Sequence, residues 1–168
     1  MNRFSSNFPR SIITTLLLGS LWACPRPAPA QTDVPHRLND EIELLRTDLD
    51  ASRKATVAKA LDLSETESAA FWPLYRQYQI DLAQLKDRKV KIILDFLESH
   101  DNMSNDNADD LMDRFFDFKE DELKLRKKYK KQFSKILPAT RVLRWIQIEN
   151  KYDILVDVQL SDRIPLAD

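Results

Sequence analysis

The chain has 168 residues, with 26 basic and 27 acidic side chains, so its net charge is close to zero. Such a balance argues against a dedicated nucleic-acid binder. Its only glycine, Gly19, lies near the N-terminus. Tight turns with positive φ angles, hairpins and phosphate-binding loops are therefore not expected beyond it. This composition predicts helices joined by Asn, Asp and Pro loops.

Residues 1–30 have the organisation of a secretory signal peptide. Residues 1–10 carry Arg3 and Arg10 and no acid, residues 11–23 are mainly apolar, and residues 28–30 read Ala-Pro-Ala. A basic segment, a short apolar segment and a small-x-small cleavage site predict export to the periplasm, with one mature domain over residues 31–168. An uncleaved anchor is the alternative, but the apolar run is shorter than the ~20 residues that span a bilayer.

Cys24 offers a second cleavage site. The segment LWAC at residues 21–24 resembles a lipobox, in which Cys24 would be lipidated and would tether the protein to a membrane. Cys24 is also the only cysteine, so a disulfide framework is excluded.

The first helix is predicted from about Arg37 to about Ala60. Leu38, Ile42, Leu45 and Leu49 recur at steps of four and three residues and therefore share one helical face. The other faces are charged, through Asp40, Glu41, Glu43, Arg46, Asp48, Arg53 and Lys54.

The second helix is predicted to begin with a capping box. Ser64 can accept a hydrogen bond from the backbone of Glu67, whose side chain reaches back to the N–H of Ser64. Pro73 lies inside the helical pattern and predicts a bend, since it removes one backbone hydrogen bond; simple tolerance in an early turn is the alternative. The apolar stripe comprises Phe71, Tyr75, Tyr78, Leu82, Leu85, Ile92 and Phe96, widened by Leu74, Ile93 and Leu97.

The third helix is predicted to follow a polar loop at residues 99–103, with Ser104 as its N-cap. Acidic residues gather at its start and basic residues in its second half, as the helix dipole favours. Its predicted core stripe is Leu111, Phe115, Phe118, Leu125, Tyr129, Phe133 and Ile136.

The fourth helix is predicted to start near Pro138, which suits a first helical turn. Its apolar residues cover most of its circumference, so it must be buried on more than one side. Because a four-helix chain covers only one of these sides, we predict a homodimer. The residues concerned are Val142, Leu143, Trp145, Ile146, Ile148, Tyr152, Ile154, Leu155, Val156, Val158 and Leu160.

No catalytic or metal-binding constellation can be assembled from the sequence. His36 and His100 are the only histidines, and neither stands in a zinc-binding pattern such as H-E-x-x-H. Nucleophile elbows, Walker loops and dinucleotide-binding turns are missing from the printed chain. We therefore expect no enzyme activity, no cofactor and no metal.

Two features remain as candidates for contacts with a client or partner protein. One is aromatic: Trp72 lies about 100° from the stripe that begins at Phe71, and Trp145 lies on the fourth helix. Their alternative role is in the core. The other feature is a basic stretch of the third helix, which could attract acidic segments of a client. The alternative interpretation of this stretch is a solvated face that complements the helix dipole. It comprises Arg126, Lys127, Lys128, Lys130 and Lys131.

Several motifs in this order resemble the Spy/CpxP-like periplasmic proteins. LSETE at residues 63–67 is similar to their L-T-x-x-Q helix start, and FWPLYRQY at 71–78 is similar to a branch with F-W-P-x-Y-x-x-Y. A second such motif lies at LPATR (137–141), and Arg144, Gln147, Ile148, Glu149 and the segment 164–166 continue the pattern. The resemblance extends from about Leu38 to Leu166.

The resemblance implies a curved, four-helix, cradle-shaped homodimer that holds unfolding envelope proteins without ATP. Its alternative is a periplasmic adaptor for one partner, such as a sensor kinase. This chain departs from the motif at Ser64, Glu67, Pro138 and Arg141, substitutions that preserve helix initiation. The histidine-rich tails of zinc-associated relatives are missing from the printed sequence, so no metal binding is carried over.

Overall fold

The computed structural model describes residues 34–161 and 163–167, with the side chains of residues 34–36, 45 and 46 excepted. The predicted signal peptide and Cys24 lie outside the described residues. Residues 31–168 form one compact unit.

Four helices make up the described chain: α1 (Val34–Leu61), α2 (Glu65–Ser99), α3 (Asn105–Phe133) and α4 (Ala139–Ser161). A single 3₁₀ turn, His100–Asn102, lies between α2 and α3. The predicted all-α class with four helices is confirmed, and no strand occurs within residues 34–161 or 163–167.

The predicted helix starts follow from local hydrogen bonds. Ser64 Oγ accepts from Glu67 N at 3.3 Å while Ser64 N donates to Glu67 Oε2 at 2.9 Å, so the capping box is confirmed. Ser104 Oγ caps α3 by accepting from Asn107 N at 3.1 Å. α4 begins one residue after Pro138, whose carbonyl accepts from Arg141 N at 3.0 Å.

One tight turn takes a positive φ angle without glycine. Asp62 has φ 47° in the three-residue connection between α1 and α2. Aspartate tolerates the left-handed region better than most residues with a Cβ atom. The expectation that such turns would be avoided is therefore wrong at this position.

The helices alternate in direction. α2 and α3 are antiparallel, since Tyr78 contacts Tyr129 and Arg88 contacts Asp121 further along. α1 and α4 are antiparallel as well, since Arg144 Nη1 donates to the carbonyl of Ala60 at one end. The two pairs pack together as an up-down-up-down bundle.

The core is divided in two along the bundle. The aromatic core lies near the α1–α2 connection and contains Val57, Leu61, Phe71, Tyr75, Tyr78, Leu82, Tyr129, Phe133, Leu137, Val142, Trp145, Ile148 and Tyr152. The smaller aliphatic core lies toward the other end and contains Leu38, Ile42, Val90, Ile93 and Leu160.

Two expectations about burial need correction. Phe115 was placed in the α3 stripe but is 40% exposed. Arg53 was placed on a solvated face of α1 but is 2% exposed. The chain covers one side of α4, as expected, and leaves Leu143, Ile154, Leu155 and Val158 49–60% exposed on the other.

Candidate functional site

Charged side chains from all four helices meet at one level of the bundle. Arg53 lies on α1 four residues from both Leu49 and Val57, where the stripe would otherwise continue. Lys86 takes the same position on α2, between Leu82 and Val90. Arg126 on α3 and Glu149 and Asp153 on α4 lie at the same level of the bundle. We call these five charged residues the central polar layer.

Glu149 and Arg53 form the buried half of the layer. The Glu149 carboxyl group is 1% exposed, accepts from the Tyr75 hydroxyl at 3.3 Å and from the Tyr78 hydroxyl at 3.1 Å, and lies 3.8 Å from Arg53 Nη1. The guanidinium of Arg53 also lies over the ring of Tyr152, 5.3 Å from its centroid.

Burial governs the titration of this half. It raises the pKa of Glu149 above its ordinary value, against the opposing effect of the Arg53 charge. Burial and the Glu149 carboxylate together raise the pKa values of Tyr75 and Tyr78, which stay protonated donors. Since each tyrosine donates to a different oxygen, the carboxyl group is fixed in one orientation.

Lys86, Asp153 and Arg126 form the more accessible half of the layer. Lys86 Nζ donates to Asp153 Oδ1 at 2.9 Å, and Arg126 donates to the other carboxylate oxygen of Asp153. Arg126 also donates to Asn150, which joins α3 to α4. Burial first, and then the positive charge of Arg53, lower the pKa of Lys86 to about 8.

A cavity of about 450 Å³ lies between the four helices, beside this layer. Its wall includes Arg53 and Lys86 from the layer, and also Ile42 and Ile93 from the aliphatic core. The cavity thus has polar and apolar walls, and its size falls within the range of roughly 300–1,000 Å³ that is typical of small-molecule sites.

The predicted basic stretch does not form one surface. Arg126 points inward to α4, as described above. Lys128 donates to Asp81 Oδ2 at 2.9 Å, beside the hydroxyl of Tyr129, and this ion pair lowers the pKa of Asp81. Lys127, Lys130 and Lys131 are exposed, as Lys128 is, but none of these three forms an ion pair with a described residue.

The two candidate tryptophans lie in or against the aromatic core. Trp145 is 1% exposed, 4.6 Å from the ring of Phe133 and 5.2 Å from that of Tyr78. Its assignment to a contact surface is therefore wrong, because no face of the ring reaches solvent. Trp72 is half-buried, with edge-to-face contacts to Phe71 and Tyr75.

The central polar layer was not predicted from the sequence, although its signal is present there. A charge that stands four residues from apolar neighbours on both sides occupies a core position in a helix. Arg53 and Lys86 both satisfy this criterion. Glu149 meets a similar one, since Trp145 and Tyr152 flank it at steps of four and three residues.

Within residues 34–161 and 163–167, no trio of His, Cys, Asp and Glu side chains is placed to hold a metal ion. The helices of this part of the chain are also too polar or too short to cross a bilayer. Comparison with protein-family models, characterised proteins and solved structures finds no significant match.

Proposed function

We propose that this chain is an exported, ATP-independent chaperone-like protein of the periplasm that binds unfolded or partly folded envelope proteins, and that it is not an enzyme. The observation that carries the proposal is the outer face of α3. Met112, Phe116 and Leu123 are exposed there by 50%, 66% and 52%, and Lys127 and Lys131 continue the same face at four-residue steps.

Exposed apolar side chains next to exposed lysines allow weak binding of unfolded chains with many different sequences. Exposed apolar groups contact the apolar segments that an unfolded chain displays. The lysines attract its acidic segments over a distance of roughly one Debye length, ~8–10 Å at physiological salt. Such binding weakens as salt is added, whereas the apolar contribution persists. The resemblance to Spy/CpxP-like proteins supports the same function.

The test is suppression of aggregation. Residues 31–168 are added in stoichiometric amounts to a chemically denatured client without ATP, and light scattering is followed at low and high salt. We expect suppression that weakens with salt and is reduced by the double charge reversal Lys127→Glu/Lys131→Glu. Phe116→Ser should reduce it at both salt concentrations.

The matched control is Lys54→Glu/Lys59→Glu on α1. Both double variants change the charge equally, and each includes one lysine from a last helical turn, so the cost from the helix dipole is similar. No suppression at several-fold excess would contradict the proposal. Cross-linking in the envelope would then search for a single saturable partner, as expected of the adaptor alternative.

We also propose that the chain is a homodimer joined through the outer side of α4. Leu143, Leu155 and Val158 are 55%, 49% and 59% exposed there. In a dimer, Val158→Asp should halve the mass measured by light scattering, and Gln159→Asp, an exposed neighbour, should leave it unchanged. A wild-type protein that is monomeric at high micromolar concentration would contradict this arrangement.

A further inference from the structure

The charged side chains that line the cavity beside the central polar layer pair with one another. The wall contains five cations and four carboxylates. Arg53 lies 3.5 Å from Asp50, and each of the other four cations forms an ion pair with a carboxylate of the same wall. Because every charge of the wall is paired with another, the cavity favours a neutral ligand over an ion.

The remaining wall is mainly apolar and is open at one side. Val90, Ile93 and Leu160 of the aliphatic core line the cavity. Leu123 of α3 and Ile154 of α4 also line it, and they are 52% and 60% exposed. The cavity therefore reaches the surface between α3 and α4, where an apolar tail can enter without a break in either helix.

Lys86 places an amine in this wall. Its side chain is 18% exposed, and Nζ donates to Asp153 Oδ1 at 2.9 Å. Burial and the charge of Arg53 lower the pKa of Lys86 to about 8, so about one-tenth of these side chains are neutral at pH 7, against roughly one in 3,000 for a lysine with the ordinary pKa of 10.5. A desolvated lysine beside another cation is the type of amine that forms Schiff bases with carbonyl compounds.

We propose that Lys86 is a covalent capture site for aliphatic aldehydes, whose carbonyl carbon bonds to Nζ while the tail lies against the aliphatic core. An aldehyde is neutral, as the paired wall favours, and its polar oxygen leaves in the reaction. Lys127 and Lys131, to which we assign client binding, do not line the cavity. The capture site therefore stands or falls independently of client binding.

Asp153 is placed to carry the protons that the reaction moves. The Lys86 ammonium passes a proton to Asp153 Oδ1, and the neutral amine then adds to the carbonyl carbon. A second proton moves from Nζ to the former carbonyl oxygen, which gives a carbinolamine. Asp153 returns its proton to this hydroxyl group, which leaves as water while the C=N bond forms. The product is a protonated imine, so the positive charge that pairs with Asp153 is kept, and neither an oxidant nor a reductant is consumed.

The test incubates residues 31–168 with a small excess of octanal at pH 7 and traps the imine by reduction with cyanoborohydride. Mass mapping of peptides should place one octyl group per chain, at Lys86. Acetaldehyde, which lacks the tail, should label Lys86 at least tenfold more slowly than octanal does, but should label the exposed Lys54 at a similar rate. Equal labelling of Lys86 by the two aldehydes, or octyl groups spread evenly over the exposed lysines, would overturn the proposal.

The pH dependence of labelling separates Lys86 from the lysines of the surface. A lysine that titrates near 10.5 gains neutral amine steadily between pH 7 and pH 10, whereas Lys86 is mostly neutral above pH 8. The ratio of label at Lys86 to label at exposed lysines should therefore fall at least tenfold over this range, and a constant ratio would contradict the assignment. The charged groups that line the cavity or act on Lys86, and so set its titration, are Asp50 and Arg53 of α1, Lys89 of α2, Glu122 and Arg126 of α3, and Glu149 and Asp153 of α4.

The decisive variant is Lys86→Arg, which keeps a cation beside Asp153 but has no primary amine. The octyl label should be lost, while circular dichroism and the thermal midpoint stay close to those of the wild type. Lys89→Arg, the same change at a neighbouring lysine of the same wall, is the matched control and should keep the full label at Lys86. An undiminished total label in the Lys86→Arg variant, or an equal loss in both variants, would refute the site.

Discussion

Replacing Arg53 with methionine should destabilise the bundle in a pH-dependent way. The change keeps most of the side-chain volume but removes the cation 3.8 Å from the Glu149 carboxyl group, which is 1% exposed. A buried carboxylate that loses its counterion takes up a proton instead. The pH at which folding is measured then sets the cost of Arg53→Met.

The size of this loss follows from the free energy needed to protonate Glu149. In the unfolded chain Glu149 titrates near its ordinary pKa of 4.5, so protonating it at pH 7 costs at most about 3.4 kcal/mol, at 1.36 kcal/mol for each of roughly 2.5 pH units. Because the folded state then holds a proton that the unfolded state lacks, stability falls as pH rises above 4.5. We expect a loss of about 2–3 kcal/mol at pH 7 and a much smaller loss at pH 5.

The assay is urea unfolding, followed by the fluorescence of the buried Trp145 and by circular dichroism. The double variant Arg53→Met/Glu149→Gln should recover at least half of the loss at pH 7, since a neutral amide needs no counterion and still bonds to both tyrosines. The reasoning is refuted if Arg53→Met costs the same at pH 5 and pH 7, or if the two substitutions are additive.

Four further substitutions probe packing, capping and backbone strain by chemical denaturation. Phe133→Ala should cost about 3–5 kcal/mol, since the ring is fully buried in the aromatic core; Phe115→Ala should cost less than about 1 kcal/mol, and equal losses would contradict the assigned core. Ser64→Ala should cost about 1 kcal/mol through loss of the capping box, and an unchanged stability would show that the cap contributes nothing. Asp62→Gly should stabilise the folded protein by several tenths of a kcal/mol, because glycine adopts φ 47° without strain. A lower denaturant concentration at the unfolding midpoint would contradict this account.

Interactions between residues close in sequence were predictable, and those between distant residues were not. The caps at Ser64 and Ser104 depend on partners three residues away, so their residue types suffice to predict them. Burial of Arg53 depends on Glu149, 96 positions further along the chain. Neither position reveals which partner it meets until the packing of α1 against α4 is known.

Periodicity predicted the faces of the helices better than their depth of burial. It placed Phe118, Tyr129 and Phe133 of α3 in the core correctly. It placed Phe115 there as well, because spacing shows the direction of a side chain but not whether another helix covers it. The same limit applies to the cavity, which results from the spacing between four helices.

The division of the core implies that the two ends of the bundle open with different free energies. Contacts between aromatic rings hold the aromatic core, whereas the aliphatic core consists of five branched side chains from α1, α2 and α4, with no α3 residue among them. Amide hydrogens around Leu38 and Val90 should therefore exchange with solvent through local fluctuations, long before those around Phe71 and Trp145, which need global unfolding. The aliphatic end of the bundle can thus open locally while the aromatic end keeps its native packing.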